Sequence, residues 1–107
     1  MDARELLPAG LLADVKNYLD ITWDDERTDA KTAENIVQGI RYLDGKAGEE
    51  LNYETPGDGR RLLLEYCRYA RDSALDVFEA NYLSQILAMQ NARKVVRYEA
   101  KSLSAQQ

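Results

Sequence analysis

Apolar residues recur along this chain at spacings of three and four, the period of a helix that buries one face. Leu11, Val15, Tyr18 and Leu19 form the first such stripe and predict a helix over residues 9–19. Pro8 stands at its start, where a missing N–H costs no hydrogen bond. In "TWDDE", Thr22 and Asp25 have the spacing of a capping box, and Asp24, Asp25 and Glu26 suit the positive end of a helix dipole. A second helix is therefore expected over 24–47. Its stripe is Ala30, Ala33, Val37, Ile40 and Ala47, with Ile36 and Leu43 alongside, and the small Ala30 and Ala33 offer a neighbouring helix a close approach. Gly48 is the expected stop.

From Gly48 to Gly59 the segment "GEELNYETPGDG" is too rich in glycine and proline for a helix and predicts a long loop, pinned to the core by Leu51 and Tyr53. A third helix is expected over 59–71, with Leu63, Cys67 and Ala70 on one face and Leu62 and Tyr66 flanking them. Arg61, Glu65, Arg68 and Asp72 share another face on which the signs alternate, so neighbours can pair. Ser73 and Asp76 repeat the capping-box spacing and open a fourth helix, over 74–90. Its apolar stripe is Leu75, Phe78, Tyr82, Ile86 and Met89, and Leu83 and Leu87 widen it beyond what one neighbour covers. Strand-like alternation of useful length is absent. The fold class expected is all-α: a small bundle of about four helices, a long loop between the second and third, and a C-terminal tail.

Charge changes the picture at the end of the chain. Residues 91–107 carry Arg93, Lys94, Arg97 and Lys101 against Glu99 alone, a net +3. The whole chain is at −5, which leaves −8 for residues 1–90. A helical domain over 1–90 and a basic tail over 91–107, frayed at "SLSAQQ", are expected on this basis. An acidic surface disfavours tight duplex-DNA binding, which works by replacing counterions on phosphates. The 107 residues fit one domain, and their modest core leaves a small stability margin that association would supplement.

Candidate chemistry is sparse. The chain has no histidine and one cysteine, which removes the common zinc sites and an internal disulfide. Cys67, on an apolar helix face with no histidine to activate it, reads as a small buried hydrophobe. Asp24, Asp25, Glu26 and Asp29 lack the glycine and late glutamate of an EF-hand loop and read as helix N-terminal charge. "TPGDGR" lacks the GK[ST] ending of a phosphate loop. Arg60, Arg61, Arg68 and Arg71 could mark a DNA-reading helix, but Glu65 and Asp72 would bring carboxylates against phosphate. The seven tyrosines are scattered, and Tyr53 and Tyr98, outside the main stripes, are the expected contact residues. Neither a signal-peptide pattern nor a membrane-spanning run is present in the sequence, so a soluble protein made in a reducing cytoplasm is expected. Cofactors, metals and catalytic residues are expected to be none.

Three segments in order, "LLADVKNYLDITWDDE", "IVQGIRYLDGKAGEELNY" and "LLLEYCRYARDSALDVFEANYLSQILAMQ", resemble the head–tail connector, or adaptor, proteins of long-tailed bacteriophages and prophages. The resemblance spans residues 11–90 and lies in the order of "VKNYLDIT", "GIRYLDGKAG" and the third segment, none of which is catalytic. It implies a helical bundle whose copies form a ring of about twelve in the virion neck. That ring would sit beneath the portal protein, extend the DNA channel without binding DNA specifically, and receive the stopper or tail-completion protein. No cofactor, catalysis or membrane contact is implied. On this reading Arg93, Lys94, Arg97, Tyr98 and Lys101 are candidates for portal contact. Arg61, Glu65, Arg68, Asp72, Leu83 and Leu87 are candidates for contact between subunits. The alternative is a small helical nucleic-acid-binding packaging protein that uses the arginines and the basic tail.

Overall fold

The structure is a computed structural model that describes residues 3–105. A 3-10 turn at Ala3–Leu6 precedes four α-helices: α1 (Leu11–Tyr18), α2 (Glu26–Ala47), α3 (Asp58–Arg71) and α4 (Leu75–Ala105). The protein is an all-helical small bundle with its long loop between α2 and α3, as the periodicity predicts.

Local chemistry sets the helix ends, in two places differently from the sequence reading. Asp25, not Thr22, caps α2: its carboxylate accepts the Thr28 N–H at 3.0 Å and the Thr28 hydroxyl at 2.7 Å. Extended backbone at Asp25 (φ −145°) aims that carboxylate along the helix axis, where it satisfies a donor that no carbonyl reaches. Ser73 does not cap α4. It adopts the left-handed conformation (φ 56°) and closes α3 instead. The N–H groups of Ser73 and Ala74 donate to the carbonyls of Ala70 and Tyr69 at 3.2 and 2.8 Å, a Schellman closure. Asp20 (φ 59°) closes α1 in the same way, and Gly48 (φ 75°) stops α2 where expected.

The core gathers Leu11, Val15 and Leu19 from α1, Ile36 and Leu43 from α2, Leu63 and Cys67 from α3, and Phe78, Ile86 and Met89 from α4. The inward face of α2 is rotated from the expected stripe: Thr32, Ala33, Ile36, Gly39, Leu43 and Ala47 are buried, while Ala30, Val37 and Ile40 are half-buried. Side chains of α3 approach the α2 backbone closely at Gly39. A Cβ at Gly39 would lie 2.7 Å from Leu63 Cδ1 and 2.8 Å from Tyr66 Cδ1. A pattern of apolar residues gives glycine no weight, yet its missing side chain is what admits those two.

Phe78 is the hub of an aromatic cluster that joins three helices. Its ring lies 5.0–6.1 Å from those of Tyr42, Tyr66, Tyr69 and Tyr82, mostly edge to face. The tyrosines that look scattered in sequence are therefore largely one packed group. Tyr53 belongs to the core as well and is no surface contact residue. It is buried, and its hydroxyl donates to Asp44 Oδ1 at 2.6 Å. The same oxygen accepts the Leu51 N–H at 3.0 Å, so both residues pin the loop to α2 as expected.

The fourth helix does not end at Gln90. It runs to Ala105, through the basic segment expected to be a tail; of "SLSAQQ", residues 106–107 lie outside the described residues. A change of charge does not stop a helix, and no glycine or proline follows Gly59. Helix α4 is bent at Tyr82, whose backbone (φ −114°, ψ 15°) leaves the helical range. Proline and glycine play no part there; the Tyr82 ring stacks on Phe78 and its hydroxyl is held by Glu65. The C-terminal turns then overhang the bundle. The molecule measures 54 × 29 × 23 Å, and its radius of gyration is 15.5 Å. A compact chain of this length would have about 13 Å.

Candidate functional site

Two surfaces hold the residues singled out by the sequence. The first lies between α3 and α4, with α1 at its edge. Glu65 is its centre. One carboxylate oxygen accepts the Tyr18 hydroxyl, and the other accepts the Tyr82 hydroxyl at 2.6 Å and Arg68 Nε at 3.0 Å. Burial pushes the Glu65 carboxyl up, but the bonds from Tyr18, Tyr82 and Arg68 outweigh it and hold the group below the usual carboxylate range. The same contact, with burial second, pushes the Tyr82 phenol up to about 12. Glu65 thus ties α1, α3 and the bend of α4 together.

Of the other candidates for subunit contact, Arg68 pairs with Glu65 and lies over the Tyr69 ring, 5.7 Å from its centre. Arg61 and Asp72 are exposed and, among the described residues, make no ion pair, so the alternating face pairs only at its middle. Leu83 and Leu87 are both 48% exposed, so the widened side of α4 faces solvent in the single chain. A separate open groove is lined by Tyr18, Pro56, Arg61, Leu64, Glu65 and Tyr82.

The second surface is the far end of α4. Its five candidates separate into two groups. Arg93 and Arg97 turn inward: both hold Glu49 at 2.8 Å, and Arg97 also donates to the Ala47 carbonyl at 3.0 Å. Gln90 adds a bond to the Lys46 carbonyl at 2.9 Å. These side chains satisfy the exposed carbonyl end of α2, where positive charge is favoured. Arg93 foremost, with Arg97, holds the Glu49 carboxyl below its ordinary range against the opposing effect of burial. Lys94, Tyr98 and Lys101 point to solvent, and Tyr98 is 73% exposed. The sequence reading missed Val95, Val96 and Leu103, all exposed on the same overhang. Their signal was present, since Met89, Ala92, Val96 and Leu103 keep the helical period, but an expected frayed tail hid it.

The arginines of α3 also serve the fold. Arg60 donates to the Tyr53 carbonyl and meets Asp14, and Arg71 donates to the Leu19 carbonyl at 2.5 Å. Cys67 is buried, and burial pushes its thiol up to about 12. Among the described residues no group of three or more metal-ligating side chains is assembled, and no helix is long and apolar enough to cross a membrane. The geometry therefore presents two apolar, charge-bordered surfaces on a helical frame. No family model, curated protein or solved structure matches this chain.

Proposed function

We propose that this chain is a structural head–tail connector of a long-tailed bacteriophage or prophage. Copies would close into a ring beneath the portal protein, extend the DNA channel, and carry the stopper or tail-completion protein on the opposite face. The reading rests on the resemblance of residues 11–90, and the structural observation that most supports it is the apolar surface of α4. Leu83 and Leu87, and further on Val95, Val96, Tyr98 and Leu103, are exposed along one helix. Surface of this kind on a small domain is the mark of an assembly part. A ring needs two different complementary patches on each copy, because its contacts are head to tail. An acidic average surface, at −5, would let DNA slide through such a ring without sticking.

Engagement of Arg60, Arg68, Arg71, Arg93 and Arg97 with protein groups weighs against the packaging-protein alternative, since these arginines are already held by carboxylates and carbonyls of the fold. The test is co-assembly with the portal protein encoded in the same genome, viewed by electron microscopy. Rings seated on the portal are the expected result. A chain that never joins the portal, yet shifts duplex DNA with a steep loss at higher salt, would replace this reading with the nucleic-acid one.

A further inference from the structure

The two ends of the molecule differ in charge, and each exposes apolar groups. At one end α4 overhangs. Val96 and Leu103, seven residues apart, continue the helix face on which Met89 is buried, but here no other element among the described residues covers it. From Tyr98 to Leu103 every residue except Ser102 is exposed. With Arg93 and Arg97 committed to Glu49, the positive charge this overhang offers comes from Lys94 and Lys101, which share a helix face with Tyr98, while the exposed Glu99 lies on another face.

The opposite end collects the starts of α2 and α4 and the finishes of α1 and α3. The Arg71 bond to Leu19 ties the last two together, and one pocket joins Leu19, Ile21 and Trp23 to Thr28 and Arg71. Residues 20–31 and 71–76 bring seven carboxylates there against Arg27, Lys31 and Arg71, and Lys16 pairs with Asp24 and Asp29 and Arg4 with Glu26. Asp20, Asp72 and Asp76 are exposed and, among the described residues, make no ion pair. Trp23 is 49% exposed and Val77 43%. The ends are separated by the length of α2, about 33 Å for its 22 residues.

We infer that the overhanging end of α4 docks onto the acidic end of a second copy of this chain. Tyr98 covers Val77, which adjoins Asp76 in the chain, while Lys94 and Lys101, on the same helix face as Tyr98, meet the carboxylates of Asp72 and Asp76. Charge complementarity selects this occupant: the cations lie on a copy whose opposite end carries unpaired anions, and like ends repel. The contact is heterologous, so it propagates from copy to copy instead of stopping at a pair. It deepens the connector reading by naming the surfaces through which copies join, and it rests on the self-association that reading requires.

The experiment is sedimentation velocity on the full chain over a range of concentrations and salt. Wild type forms species larger than a monomer, and they dissociate as salt rises. The double variant Lys94→Glu, Lys101→Glu and the double variant Asp72→Lys, Asp76→Lys each keep the helical circular dichroism spectrum and each associate about tenfold more weakly or worse. The neutral pair Asp72→Asn, Asp76→Asn, which disturbs the start of α4 less, gives a smaller loss in the same direction. An equimolar mixture of the two charge-reversed proteins reassociates, because reversed tail meets reversed end and native tail meets native end. Wild type that stays monomeric throughout, variants that associate like wild type, or a mixture that does not recover would each overturn the inference. A tail variant that self-associates normally but loses portal binding would also overturn it. The connector reading fails separately: association through these ends with no ring and no portal complex would keep the contact and remove the neck role.

Discussion

Gly39 and Gly45 lie in the same helix, α2, and replacing each with alanine separates backbone propensity from packing. Glycine inside a helix costs about 1 kcal/mol relative to alanine, so propensity alone makes both changes stabilising. At Gly45 a Cβ meets nothing within 4 Å, and that gain should be kept. At Gly39 the new methyl falls 2.7 Å from Leu63 Cδ1, and 2.8 and 3.2 Å from two atoms of the Tyr66 ring. Carbon atoms rest about 3.5–4.0 Å apart, so the neighbours must retreat by nearly an ångström. Neither has room. Leu63 is fully buried, and the Tyr66 ring is held 5.4 Å from Phe78 and 5.6 Å from Tyr42. Overpacking of this kind costs about 1–3 kcal/mol. Set against the propensity gain, Gly39→Ala should destabilise by up to about 2 kcal/mol, while Gly45→Ala should stabilise by about 0.5–1 kcal/mol. Urea and thermal unfolding followed by circular dichroism give both values. For a domain of this size they correspond to a Tm lowered by up to roughly 10 °C and one raised by several degrees. A Gly39→Ala protein stabilised as much as Gly45→Ala would refute the close approach of α2 and α3.

Phe78→Ala should cost about 3–5 kcal/mol in the same assays, because it empties the centre of a ring cluster drawn from three helices. Ser73→Gly should raise stability by up to about 1 kcal/mol, since it relieves a left-handed conformation that an L-residue adopts at a cost; a destabilised variant would count against that turn. Glu65 is held below the ordinary carboxylate range in the folded chain, so its contribution is present above pH about 4.3 and disappears as pH falls through the lower folded value. The urea midpoints of wild type and Glu65→Gln should therefore differ at pH 7 and converge below pH about 4, and a constant gap would remove Glu65 from the acid response. Cys67 should resist a thiol reagent at pH 8 in the native protein and react at once in denaturant, and fast native labelling would mean that the α2–α3 core opens readily.

The existence and order of the four helices were legible from residue types alone. The period of Leu11, Val15 and Leu19, the stop at Gly48 and the Pro56–Gly59 breaker segment act within one or two turns of chain, and such local effects are written in neighbouring residues. Where two local solutions compete, the sequence reading chose the wrong one. Thr22 and Asp25 can both cap, as can Ser73 and a left-handed closure of α3, and the geometry of the neighbouring turn decides between them. The length of α4 was misread because charge was taken as a boundary, although the sequence there contains no helix stop.

What sequence alone determined about this protein is a helical, acidic chain with a basic last stretch and more apolar helix surface than its own neighbours can cover. Only the tertiary structure decided which face of α2 is inside, that α3 side chains fill the space a Cβ at Gly39 would take, and that Tyr42, Tyr66, Tyr69 and Tyr82 meet around Phe78. It also divided the candidate tail residues, turning Arg93 and Arg97 toward the end of α2 and leaving Lys94, Tyr98 and Lys101 outward. The reason is physical: periodicity reports which residues share a face of one helix, while burial, ion pairing and exposure depend on which other helix stands opposite, and that is set by the packing of all four together.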